Sequence, residues 1–149
     1  MDGDCQKLLI RTMLGFCRSM FSVDLGHPNT EEVLKRTWRE FAAFLAELCP
    51  NGQAALAQER AAALDRRLAE LVGARIEQRT MDDGAINSTW LACPLWDEMK
   101  ALRLEKAFTC VGACDCLSSE LARSAEGATF ERGNRMPWGG PCEKVFGGD

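Results

Sequence analysis

Apolar residues recur at spacings of three and four over residues 4–21, where Leu8, Leu9, Met13, Phe16, Cys17 and Met20 mark one helical face. Residues 22–28 break that pattern. A second helix is expected from Asn29 or Thr30, either of which can cap it, to about Leu48. Glu31 and Glu32 suit the positive end of its dipole, and Val33, Leu34, Trp38, Phe41, Leu45 and Leu48 form its inward stripe. Cys49-Pro50-Asn51-Gly52 ends it. A third helix over residues 53–72 is rich in Ala, Leu, Arg and Glu, with Leu56, Ala63, Leu64, Leu68 and Leu71 inward and Gly73 as its C-cap.

The period then shifts towards two. Residues 74–80 read as a strand, Met81-Asp82-Asp83-Gly84 as a turn, and residues 85–92 as the return strand, closed by Cys93-Pro94. Helical patterns follow over residues 95–102 and 104–125. Residues 127–135 predict a strand, residues 137–141 a turn, and residues 142–146 a last short strand. A hairpin alone cannot cover its apolar face, so the two hairpins are expected to join. The expected fold is α+β: N-terminal helices, then an antiparallel sheet packed against helices. One domain is expected over residues 1–149, with a helical part over 4–72 and a Cys-rich part over 74–147.

Composition narrows the function classes. Hydrophobic residues make up 46% and charged residues 27% of the chain, an ordinary globular balance. The net charge of -4 and the absence of a basic stripe argue against a nucleic-acid partner, which needs cations to displace phosphate counterions. The acidic start Met1-Asp2-Gly3-Asp4, with no long apolar run after it, predicts no membrane association and a cytoplasmic location. Thiols stay reduced there, so the eight cysteines ask for a reason other than disulfides. Cys5, Cys17 and Cys49 read as small buried apolar residues.

The later five are different. Cys110 and Cys114 are one helical turn apart on one face. Cys93 ends one hairpin and Cys142 opens the last strand. A tetrahedral thiolate site needs four sulfurs at about 2.3 Å from the ion. Cys93, Cys110, Cys114 and Cys142 are the expected ligands; helical geometry turns Cys116 about 200° from Cys114, and it stays in reserve because Gly112 could distort the helix near it. Zinc is the default cofactor; an iron–sulfur cluster or copper(I) also suits soft thiolates.

The stretch Cys93-Pro94, Cys110-x3-Cys114, Phe130-Glu131-Arg132 and Gly139-Gly140-Pro141-Cys142 resembles the L-2-amino-thiazoline-4-carboxylic acid hydrolase-like family, and more distantly vinyl-reductase-type ligand-binding domains, over about residues 70–146. The first resemblance implies hydrolysis of a small cyclic C–N or C–S substrate. The second implies a non-catalytic small-molecule or metal sensor, some members of that class binding zinc through cysteines. The matching positions are Cys93, Cys110, Cys114 and Cys142.

If a metal-bound water attacks carbon, a nearby carboxylate serves as general base. Asp115 and Glu143 are the candidate catalytic residues, since they flank cysteines. Asp82 and Asp83 read instead as turn residues, and His27 as a loop histidine. Trp90, Trp96 and Trp138 are candidate walls of a small-molecule pocket. Arg132 and Arg135 read as solvated on a strand edge. The charged third helix, with Glu59, Arg60, Arg66, Arg67 and Glu70, reads as a solvated face and a candidate homodimer contact. A thiol redox role for Cys114 and Cys116 ranks last, because a Cys-x-Cys pair is too short for a strain-free disulfide.

Overall fold

The computed structural model describes residues 3–23, 28–49, 56–103 and 110–148; for residues 17–23, 28–31 and 110–113 it describes the backbone alone. The elements run α1 (Gly3–Val23), α2 (Pro28–Glu47), α3 (Ala57–Val72), β1 (Arg75–Thr80), β2 (Ile86–Ala92), α4 (Pro94–Ala101), α5 (Cys110–Ser124), β3 (Ala128–Arg132) and β4 (Cys142–Gly148), with a 3-10 turn at Met136–Trp138. The strands form one antiparallel sheet in the order β1-β2-β4-β3. The hairpins β1–β2 and β3–β4 therefore join through their second strands, giving the expected α+β architecture.

The hairpin turn reads as the sequence suggests. Asp83 accepts the Ala85 N–H at 3.0 Å, and Gly84 takes φ 84°, a left-handed conformation that suits glycine. Gly73 ends α3 at φ 74°. Two boundaries differ from expectation. α2 begins at Pro28, whose fixed φ suits a first helical turn, so Asn29 and Thr30, expected as caps, lie within the helix. β3 ends at Arg132, because the Gly133 and Asn134 backbone turns to meet Glu143 instead of continuing the ladder.

α3 lies across the sheet and touches all four strands. α5 packs on α2, α3 and β3, and α1 packs on α4, α3 and α2. The main apolar core takes Ile10, Leu14, Leu34, Trp38 and Leu45 from α1 and α2, and Trp90, Cys93, Met99, Leu117, Leu121 and Cys142 from the second half, so both halves share it. On α1 the buried residues are Ile10 and Leu14 while Leu8 is exposed, a rotation of the expected face. Leu48 and Leu56, expected inward, are exposed. The charged side of α3 is tied to its own chain: Arg60 donates to the Ala125 and Glu126 carbonyls, Arg66 to Gln78, and Arg67 pairs with Glu70.

Strand alternation sorts the sheet into two faces. Ser88, Trp90, Cys142, Lys144 and Phe146 are buried towards the helices, whereas Glu77, Thr89, Glu143 and Glu131 share the more open face. Among the described residues no helix is long and apolar enough to cross a membrane.

Under α3 sits a buried ion pair. The Lys144 Nζ lies 2.6 Å from Asp65 Oδ1, with side chains 1% and 0% exposed. Removing one member of such a pair leaves the other charge uncompensated and costs about 3–5 kcal/mol. Urea unfolding of Asp65→Asn is expected to show that loss, and most of it is expected to return when Lys144→Met is added. Equal stability of the single and double variants would contradict the pairing.

Candidate metal centre

The thiols are positioned by three local routes: Cys93 and Cys142 are buried in the main core, and Cys114 is half-buried. Cys93 leaves β2 in an extended conformation (φ -126°, ψ 100°) and occupies the N-cap of α4, with Pro94 in the first turn and the Asp97 N–H closing on the Cys93 carbonyl at 3.1 Å. Its sulfur faces the Trp96 N–H without forming a capping hydrogen bond. Cys142 opens β4 directly across from Trp90, and its sulfur accepts the Met136 N–H at 3.2 Å.

That contact depends on the loop between β3 and β4. Asn134 Nδ2 donates to the Gly139 and Pro141 carbonyls at 2.7 and 2.8 Å, and the Glu143 N–H donates to the Asn134 carbonyl at 2.8 Å. Gly139 and Gly140 take φ 93° and 83°, which lets the chain turn back tightly enough. Cys114 comes from the second turn of α5, where the Ser118 hydroxyl donates to its carbonyl at 2.8 Å.

Cys93, Cys114 and Cys142 lie within electrostatic reach of one another and of Lys144. Burial pushes the Cys93 thiol up to about 12; the charge Cys114 would carry adds to the rise, while the Trp96 N–H and the Lys144 ammonium oppose it. Burial also raises the Cys142 thiol, and Cys114 adds to this against the Met136 N–H, Arg135 and Lys144. For Lys144, burial works against its charge, but Asp65 first and then Cys114 and Cys93 outweigh it, so its net shift is upward. Burial therefore holds the Cys93 thiol towards its neutral, protonated form.

The other expected ligands are placed as follows. Cys110 occupies the first position of α5, one turn before Cys114, and its side chain lies outside the described residues. Cys116 is half-buried and packs against the main apolar core. Of the cysteines read as structural, Cys49 packs on that core, Cys5 is exposed instead of buried, and the Cys17 side chain lies outside the described residues. Among the described residues, no group of three or more His, Cys, Asp and Glu side chains is disposed to hold a metal ion.

Both carboxylates expected to act as general bases are engaged elsewhere. The Asp115 carboxylate is clamped by two guanidiniums: Arg135 donates to Oδ1 through Nε at 3.1 Å and through a second, shorter bond, and Arg132 donates to Oδ2 at 3.2 Å. Glu143 lies on the sheet face opposite Cys142 and Lys144, where its carboxylate accepts the Asn134 N–H at 3.4 Å. Arg135, read as solvated, is 1% exposed because it also donates to the Asn134 and Glu143 carbonyls. Of the three tryptophans, Trp90 is buried in the core with Cys93 and Cys142, and Trp96 packs against the same cluster. Trp96 carries Lys100 over its ring, and Trp138 is exposed under Arg132. His27 lies outside the described residues.

The residues the sequence did not point to are Lys144 and Asp65. Alternation from Cys142 through Lys144 to Phe146 was the available signal for the first. Helical spacing of Asp65 from Ala61, Ala62, Leu68 and Ala69, all buried, was the signal for the second.

Comparison with family models, curated proteins and solved structures returned no match.

The folded Cys93 thiol keeps its proton to higher pH than the unfolded one, so its stabilising effect is complete below pH 9 and is lost as pH rises towards about 12. The loss runs at about 1.4 kcal/mol per pH unit above the unfolded value. Urea unfolding in the presence of chelator and reductant is expected to show Cys93→Ala losing about 2 kcal/mol less than the wild type between pH 8.5 and 10.5. Parallel losses in the two proteins would count against a buried neutral thiol.

Proposed function

We propose that this chain is a small metal-binding domain with a sensing or structural role. In this reading Cys93, Cys114 and Cys142, joined by Cys110 from the preceding turn of α5, hold one ion. Zinc is the default, and an iron–sulfur cluster is the alternative. What supports the reading is that thiols from the β2–α4 junction, α5 and β4 lie near enough to influence one another and Lys144 electrostatically. Backbone N–H groups facing the Cys93 and Cys142 sulfurs partly offset the burial that keeps both protonated, and a bound ion would have to supply the rest.

The hydrolytic alternative has weaker support. Neither Asp115, held by two arginines, nor Glu143, on the far face of the sheet, stands ready to take a proton from a metal-bound water. The sensing alternative suggested by the likeness to vinyl-reductase-type domains needs no such base. A reducing, cytoplasmic setting would keep the thiols available.

Because a free ion pulls protons off its thiols and folding energy is shared with binding, loading should both titrate thiols and raise stability. Protein purified anaerobically is expected to take up about one zinc per chain and to protect about four thiols from alkylation. Cys114→Ala and Cys142→Ala are each expected to lose that protection together with the zinc-dependent rise in Tm. A wild-type chain that takes up no metal, or that loads fully without Cys114, would overturn the reading. A colourless sample identifies zinc and a brown one an iron–sulfur cluster.

A further inference from the structure

α2 carries more apolar surface than its own chain covers. Leu34, Trp38, Ala42 and Leu45 are buried against the rest of the molecule. At about 100° per residue, Val33, Thr37, Phe44 and Leu48 lie beside them in a separate arc of about 60°. Val33, Phe44 and Leu48 are 41%, 58% and 50% exposed. Thr37 belongs to this strip because its hydroxyl donates back to the Val33 carbonyl at 3.0 Å, which leaves its methyl for a neighbour. The strip runs about 22 Å along the helix. Exposed apolar residues scattered singly are ordinary, whereas an aligned row marks a contact surface.

A row of charge borders the strip on the side away from the core. Arg36, Glu40 and Glu47 are exposed and share a further arc of about 40°. Among the described residues, none of the three side chains has an ion-pair or hydrogen-bond partner.

Strip and border complement themselves when two copies of α2 run antiparallel about a two-fold axis. Val33 then meets Leu48 of the second copy and Thr37 meets its Phe44, small against large each time. One register serves both contacts, because Val33 precedes Thr37 by the same interval as Phe44 precedes Leu48. In that register Arg36 lies within about 3 Å, along the helix axis, of the position opposite the second copy's Glu47. We infer that this chain forms a homodimer in which α2 packs antiparallel on α2 of a second copy, with Arg36 and Glu47 paired across the axis. The charged side of α3, the other candidate for such a contact, is tied to its own chain. Glu40 is the one unfavourable element, since its two copies meet beside the axis, where the flanking arginines offset them in part. A single helix pair is smaller than a standard interface, so the dimer is reversible, with dissociation in the micromolar range. The inference does not depend on the metal-binding reading.

Sedimentation equilibrium of the full-length chain tests the contact. Reductant is present because Cys5 is exposed, and chelator is present to exclude a metal bridge. Between about 1 and 300 µM the wild type is expected to pass from monomer to dimer. Phe44→Glu is expected to stay monomeric with an unchanged Tm, because Phe44 lies outside the core. Arg36→Glu and Glu47→Arg are each expected to weaken dimerisation about tenfold, and their combination to restore it. Glu40→Gln is expected to tighten the dimer about threefold, a gain that no loss of folding can imitate. A wild type that stays monomeric across that range overturns the inference and leaves the strip to a different protein. A dimer that survives Phe44→Glu, a charge-swapped double variant that does not recover, or a Glu40→Gln dimer no tighter than the wild type overturns it as well.

Discussion

A lysine and an aspartate, both withdrawn from water beneath α3, set the terms for the rest of the structure. Asp65 is reached by Lys144 from β4 and by Ser88 and Trp90 from β2, so one carboxylate fixes the helix against the two central strands. Gln78 extends the network to β1, donating to the Ser88 hydroxyl at 3.3 Å and to the Ala62 carbonyl of α3 at 2.7 Å. Such a network specifies the register of the sheet under the helix, because a slip of one residue would turn Lys144 to the open face and leave Asp65 unpaired.

The same constraint fixes what surrounds the thiols. With Lys144 inward, Cys142 must also face inward, opposite Trp90, and the β3–β4 loop must fold so that Met136 meets its sulfur. Arg135 then lies beneath that loop and takes Asp115 from α5, which anchors the helix that carries Cys114. The scaffold around the thiols is built of charged groups that satisfy one another. Lys144 and Asp65 form one unit, Arg132, Arg135 and Asp115 another. Neither unit supplies a free base for proton transfer.

Much of the fold was legible in the sequence. The change from a period near 3.6 to a period near 2 at Gly73, the Asp83-Gly84 turn and the Pro94 break mark β1, β2 and the start of α4. The spacing of Cys110 and Cys114 placed them on α5, and Cys93 and Cys142 at strand ends. What stayed hidden were charges that fold inward. Arg135 reads as solvated, and Lys144 and Asp65 do not stand out, because composition assigns charge to solvent, and only a partner far along the chain reverses that preference. Asp115 illustrates the same point. Its position beside Cys114 is visible in the sequence, whereas its capture by arginines 17 and 20 residues away is a property of the tertiary fold.

X-ray absorption at the zinc edge of the loaded chain tests the central claim most directly. A single shell of about four sulfur scatterers near 2.3 Å is the predicted result. A shell dominated by nitrogen or oxygen would show that the ion sits elsewhere and that the gathered thiols are not its ligands.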